Sequence, residues 1–113
     1  MPNVELLEKV WRHIEDHPES HYQQIWMNTC GTAGCFAGWA CALAEGVVND
    51  FQKPSWTTLL DGKWLHVEDA ATKLLGITNE EGEIMFAGTN TREQLGLMVK
   101  DLIDGNDITE IDY

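Results

Sequence analysis

Val4, Leu7, Trp11 and Ile14 recur at helical spacing, with Glu5, Glu8, Lys9, Arg12 and Glu15 turned away from them, which predicts an amphipathic helix over residues 4–16. Pro18 ends that helix, because the residue before a proline is pushed out of the α region. The stretch SHYQQIW that follows reads as a short helical turn or irregular bridge anchored by Tyr22, Ile25 and Trp26. Residues 32–44 then break the pattern, since they carry no charge and are apolar on every side. A helix without a polar stripe has to be covered all round, so this segment is expected to form the axis of the fold. Thr32 is placed to cap it and Gly46 to stop it in a left-handed conformation. Gly34, Ala37, Gly38, Ala40 and Cys41 leave room for neighbouring backbones, while Phe36, Trp39 and Leu43 fill the space between.

Farther on, Asp61-Gly62 separates two apolar runs and signals a β-hairpin near 56–66, with one helical turn over 56–60 as the competing reading. Val67, Ala70, Ala71, Leu74 and Leu75 restore the helical period, and Gly76 terminates it. Thr78-Asn79-Glu80-Glu81 and Thr91-Arg92-Glu93-Gln94 both spell capping boxes. The first opens a short helix through Ile84, Met85 and Phe86; the second opens a longer one whose Leu95, Met98, Val99, Leu102 and Ile103 face inward up to Gly105. The expected fold is mainly α: four or five short helices around the 32–44 segment, with a small hairpin. Residues 1–105 form one globular domain, and the acidic tail 106–113 is either loose or adds an edge strand through Ile108 and Ile111.

A chain of 113 residues is long enough for one core without disulfide or metal. Charge changes the picture more than size. The 19 acids and 7 bases leave a net charge of −12, concentrated at the two ends. Such a field repels phosphate backbones and anionic lipid, which argues against direct nucleic-acid or membrane-surface binding and favours a basic protein partner. Residues 32–44 are too short to span a bilayer, which takes about 20 apolar residues. MPNVELLEKV has no signal-peptide character, and three cysteines do not make a secreted disulfide framework, so a cytoplasmic location is expected.

His17-Pro18, Trp26, Cys30-Gly31-Thr32, Cys35-Phe36-Ala37-Gly38-Trp39-Ala40, Leu74-Leu75-Gly76-Ile77-Thr78 and Met85-Phe86 form a pattern over roughly residues 11 to 104. In this the chain resembles a family of small uncharacterised proteins from actinobacterial phages and bacterial genomes that share a C-G-T-x-x-C-x-A-G-W-A motif. The resemblance implies a small accessory protein, phage-encoded and acting in the cytoplasm of a bacterial host; it carries over no catalytic residue.

Candidate chemistry centres on sulfur. Cys35 at a helix start is favourably placed for a thiolate, with His17, His21 or His66 as base and Asn28 or Asp69 as orienter. No histidine is tied to it by local spacing, however, and a buried packing role is the favoured reading. Cys30 and Cys35, with four residues between them, and His17, His21 or His66 form the one conceivable zinc set; Cys41 would lie on nearly the opposite face of the helix from Cys35. A Cys30–Cys35 disulfide is disfavoured in a reducing compartment. The acidic tail lacks the EF-hand ligand spacing, and no phosphate loop, dinucleotide fingerprint or H-E-x-x-H motif occurs. No cofactor is therefore expected.

Trp26, Trp56 and Trp64 stand in irregular or hairpin segments, where an exposed indole would anchor a partner. Asp101, Asp104, Asp107, Glu110 and Asp112 would steer the chain toward a basic surface. The leading expectation is a non-enzymatic interaction module that binds and modulates a host protein. The alternatives are a nucleic-acid mimic that blocks a DNA-binding protein, and a small zinc-binding or cysteine-dependent protein.

Overall fold

A computed structural model describes residues 2–25, 34–50 and 58–113. The described residues form α1 (Val4–Asp16), a 3-10 turn (Pro18–Ser20), α2 (Phe36–Leu43), three short strands, three further helices and a second 3-10 turn (Ile108–Glu110). The strands are β1 (Val48–Asn49), β2 (Thr58–Leu60) and β3 (Lys63–Leu65); the helices are α3 (Val67–Leu75), α4 (Asn79–Met85) and α5 (Arg92–Ile103). The fold is mainly α with a small antiparallel sheet, as the periodicity predicts.

α2 is the axis. Every residue from Phe36 to Cys41 is buried, and α1 and α3 pack against it. It is shorter than the expected 32–44 segment: Cys35 occupies the N-cap position and Thr32, outside the described residues, is not the cap. Cys35 supplies no side-chain cap either. One of the first free N–H groups is met from a distance, Phe36 N–H donating to Gln23 Oε1 at 3.3 Å. At the other end Asn49 Nδ2 donates to Cys41 O at 2.9 Å and Lys9 Nζ to Leu43 O at 2.9 Å. A cation there also complements the negative end of the helix dipole.

The bridge after α1 corrects the expected anchors. Tyr22 is 55% exposed and Ile25 40% exposed, whereas Gln23 is buried; Trp26 lies outside the described residues. Backbone pairing holds the segment, with Tyr22 N–H donating to Gly34 O at 2.8 Å and Cys35 N–H to Ile25 O at 2.8 Å. A polar side chain wins the interior position because it has four hydrogen bonds to make there, described below.

Asp61 (φ 52°) and Gly62 (φ 79°) form the tight turn between β2 and β3. Both central residues at positive φ define a type I′ turn, whose twist matches the flanking strands. The hairpin therefore prevails over the helical reading for Thr58–Leu60, while Trp56 lies outside the described residues. β1, two residues long, pairs with β2 and was invisible to any periodicity argument. Both capping boxes form: Thr78 with Glu81 opens α4, and Thr91 with Gln94 opens α5. Gly76 (φ 68°) ends α3 in the left-handed conformation.

The acidic tail makes neither an edge strand nor a free end among its described residues. Ile108 is fully buried against α4 and α5, Tyr113 Oη donates to Asp101 Oδ2 at 2.7 Å, and Gln94 Nε2 donates to Tyr113 O at 3.1 Å. One buried isoleucine is enough to hold so short a segment down, contributing about 1.5–3 kcal/mol.

α1 meets α5 where the Trp11 ring lies on Gly96. A Cβ at Gly96 would sit 2.7 Å from Trp11 Cζ2 and 2.9 Å from Cη2. Gly96→Ala gains about 1 kcal/mol of helix propensity but overpacks a rigid indole, at a cost of about 1–3 kcal/mol. Urea unfolding should show Gly96→Ala to be destabilising in the native background and neutral or stabilising in a Trp11→Leu background. A gain in stability with Trp11 present would contradict the packing.

Candidate functional site

Cys35 is 1% exposed and Cys41 fully buried. Burial pushes the Cys35 thiol up to about 11, and the negative charge of Glu68 adds to that. The backbone N–H groups of Cys35, Ala37 and Gly38 do pull it the other way, as a helix start should, but desolvation wins. Cys41 is pushed up to about 12 by the same burial, and its S–H donates to Val67 O at 3.6 Å. Neither sulfur is a thiolate near neutral pH, so neither is an activated nucleophile.

The proposed bases and ligands are placed at separate tasks. His66 is the N-cap of α3, its Nδ1 accepting from Glu68 N–H at 3.1 Å. His17 is exposed at the end of α1, with Nδ1 3.6 Å from Glu19 Oε1. His21 donates through Nε2 to Gln23 Oε1 at 2.8 Å. Asp69 is exposed on α3. Among the described residues no group of three or more His, Cys, Asp or Glu side chains is arranged to hold a metal. Cys30 and Asn28 lie outside the described residues.

The structure does bring together a polar junction that the spacing of residues did not reveal. Gln23 Nε2 donates to Met85 O at 3.0 Å and to Ala87 O at 3.1 Å. Its Oε1 accepts from Phe36 N–H and from His21. Two carbonyl acceptors fix the amide orientation, and this in turn requires a proton on His21 Nε2. Beside it, Ser20 Oγ donates to His17 O at 2.6 Å and lies 3.4 Å from His13 Nε2. The Trp39 indole N–H donates to Ser20 O at 2.8 Å, and the Trp39 ring stands 4.2 Å from the His13 ring. Ser20 is buried and its proton is committed to a backbone carbonyl, which leaves the Ser20–His13 contact no character of a nucleophile and base. The signal that singles out this junction in a sequence is weak: a glutamine in an otherwise uncharged segment, with histidines at 13, 17 and 21.

The interaction candidates divide. In the sheet register Val48 faces Leu59, and Leu59 faces Trp64, so the three lie in one row on one face. Val48 is 57% and Trp64 37% exposed, while Thr58 on the opposite face is fully buried. Trp26 and Trp56 lie outside the described residues. Of the five acids, Asp101 is half-buried and accepts from Tyr113 and from Asn106 Nδ2, and Asp107 accepts from Thr109 N–H and Oγ1. Asp104, Glu110 and Asp112 are exposed and, among the described residues, make no ion pair. No described helix is long and apolar enough to cross a membrane.

No protein-family model, curated protein or solved structure matches the chain.

Two tests follow from this geometry. In a Cys30→Ser background, the two remaining thiols should resist an aromatic disulfide reagent at about pH 8 while the chain is folded and react promptly once it is unfolded. Native-state reaction at the unfolded rate would place a sulfur at the surface. The second test concerns pH. Burial lowers His13 below its ordinary value of 6.5, the His17 charge lowers it further, and Asp16 and Glu19 partly oppose this. His21 is also lowered, by burial and by Arg92, against the opposing hydrogen bond to Gln23. Between the lowered values and 6.5 the unfolded chain binds more protons, so this stability is complete above about 6.5 and is lost as pH falls through the folded-state values. Urea midpoints taken between about pH 7.5 and about pH 5.5 should decline with acidification, and less steeply in His13→Gln; a midpoint that rises on acidification would contradict it.

Proposed function

We propose that this chain is a phage-encoded accessory protein that binds and modulates a host protein through a basic surface on that partner, without covalent chemistry of its own. The observation that carries the reading is the unneutralised charge at the C-terminal end. Asp104, Glu110 and Asp112 are solvent-exposed with no cation of the chain beside them among the described residues. Asp101 and Asp107, by contrast, spend their carboxylates on holding the tail in shape, and so fix where the other three stand. A rigid, like-charged surface of this kind pays a self-repulsion that a basic partner would relieve. The row of exposed Val48, half-buried Leu59 and exposed Trp64 offers apolar area of the sort that anchors interfaces. The phage and host assignment rests on the resemblance of the Cys30-to-Ala40 motif, and the absence of chemistry on the high thiol pKa values and the engaged histidines.

Affinity purification of the full chain from an actinobacterial lysate, at low and high salt, tests this reading. A basic protein should be recovered at low salt and lost at high salt. The triple variant Asp104→Lys, Glu110→Lys, Asp112→Lys should weaken capture about tenfold or more through the association rate, while Trp64→Ala should act through dissociation. Equal recovery by the charge-reversed variant, or recovery of nucleic acid in place of protein, would overturn the reading.

A further inference from the structure

Between the 3-10 turn Pro18–Ser20 and the start of α5 lies a cleft of about 420 Å³, lined by His21, Tyr22, Gln24, Asn90, Thr91 and Arg92 among others. None of its lining side chains among the described residues is a carboxylate. In a chain of net charge −12 that is a local exception. Three other clefts among the described residues carry Glu5 and Glu45, Glu8 and Glu15, and Glu80, Glu81 and Asp107.

The lining is also rich in uncommitted donors. Arg92 Nη1 donates to Pro18 O at 3.1 Å, which uses one of the five N–H groups of the guanidinium and orients the rest. The Tyr22 hydroxyl and the Gln24 amide are exposed and make no hydrogen bond within the described chain. Thr91 Oγ1 accepts from Gln94 N–H, leaving its own proton to donate. His21 is pinned by Gln23 at the inner edge and closes that side of the cleft.

We infer that this cleft binds an oxyanion group, phosphate or carboxylate, with Arg92 as the charged clamp and Tyr22, Gln24 and Thr91 as neutral donors. The guanidinium fork matches such groups two bonds at a time. The acidic exterior does not forbid this, because exposed charges more than about 8 Å away are largely screened at physiological salt while Arg92 acts at contact distance. The inference is independent of the acidic surface and its partner.

Amide and side-chain NMR of the full chain, titrated separately with inorganic phosphate, acetate and sodium chloride at matched ionic strength, tests it. Saturating shifts confined to His21, Tyr22, Gln24, Thr91 and Arg92 are expected from phosphate, acetate or both, and the arm that saturates identifies the group. Arg92→Gln should weaken binding about tenfold or more, Tyr22→Phe by a smaller factor, and Lys100→Gln, an equal loss of charge lining a different cleft, should change nothing. Shifts that fail to saturate or that chloride reproduces would overturn the inference. So would unchanged affinity in Arg92→Gln with a native-like spectrum, or unchanged affinity in Tyr22→Phe should Arg92→Gln fail to fold.

Discussion

A helix buried on all sides has nowhere to send its unpaired terminal groups except to other parts of the chain, and that constraint on α2 organises the rest of this protein. The first N–H groups and last carbonyls of any helix lack partners within it, and water cannot serve them where Phe36 to Cys41 are buried. Leaving each unmet would cost about 1–3 kcal/mol. Gln23 answers at the N-terminal end and Asn49 at Cys41 O, while Lys9 meets Leu43 O where α2 has come half out to solvent. Each partner then commits a further element. Gln23 reaches the carbonyls of Met85 and Ala87 and ties down the end of α4. Asn49 accepts from Thr58 Oγ1 at 2.8 Å, which seats β2 and with it the sheet. Lys9 belongs to α1, whose Asn3 in turn bonds Leu75 O through its backbone N–H at 2.7 Å, at the end of α3.

The same burial decides the chemistry of the axis. A thiol at a helix start is the usual setting for a reactive cysteine because N–H groups stabilise the thiolate. Here those N–H groups act on Cys35 in the expected direction and are outweighed by the loss of water. Two of the three histidines considered as bases are taken up by the architecture around α2 and α3, while His17 stands exposed at the end of α1. His66 caps a helix, and His21 completes the bonding of Gln23. Polar residues near the core thus read as reactive in a one-dimensional sequence and as structural once their partners are seen.

What was legible in the sequence was whatever is decided within a few residues. The capping boxes at Thr78 and Thr91, the Asp61-Gly62 turn and the left-handed Gly76 all occur where local chemistry places them, because each satisfies its backbone groups with neighbours three or four positions away. The position of α2 as the axis was legible from its want of a polar face. Its starting point was not: Thr32 is a better N-cap than Cys35 by local preference, but the helix begins after Cys35 and the Phe36 N–H finds Gln23, thirteen residues upstream. β1 is too short to show alternation, and its existence depends on Asn49 having two distant partners. The cleft around Arg92 was equally hidden, since it joins residues 21–24 to residues 90–92 through packing that no spacing rule encodes.

The charge distribution gives the two proposed surfaces opposite electrostatic character within one small molecule. Association with a basic partner is governed by the whole field, to which all 19 acids contribute at long range and which salt weakens. Capture of an oxyanion is governed by contact with Arg92 and its neutral neighbours, while the same long-range field slows the anion's approach. Added salt therefore acts with opposite signs on the two encounter rates, lowering one and raising the other. It touches the dissociation rates less, because those depend on desolvated contacts. If both proposals hold, charge alone separates the two encounters without a conformational change, because the Arg92 cleft is lined by neutral donors while Glu81, Asp101 and Asp107 are held at a cap and in the tail.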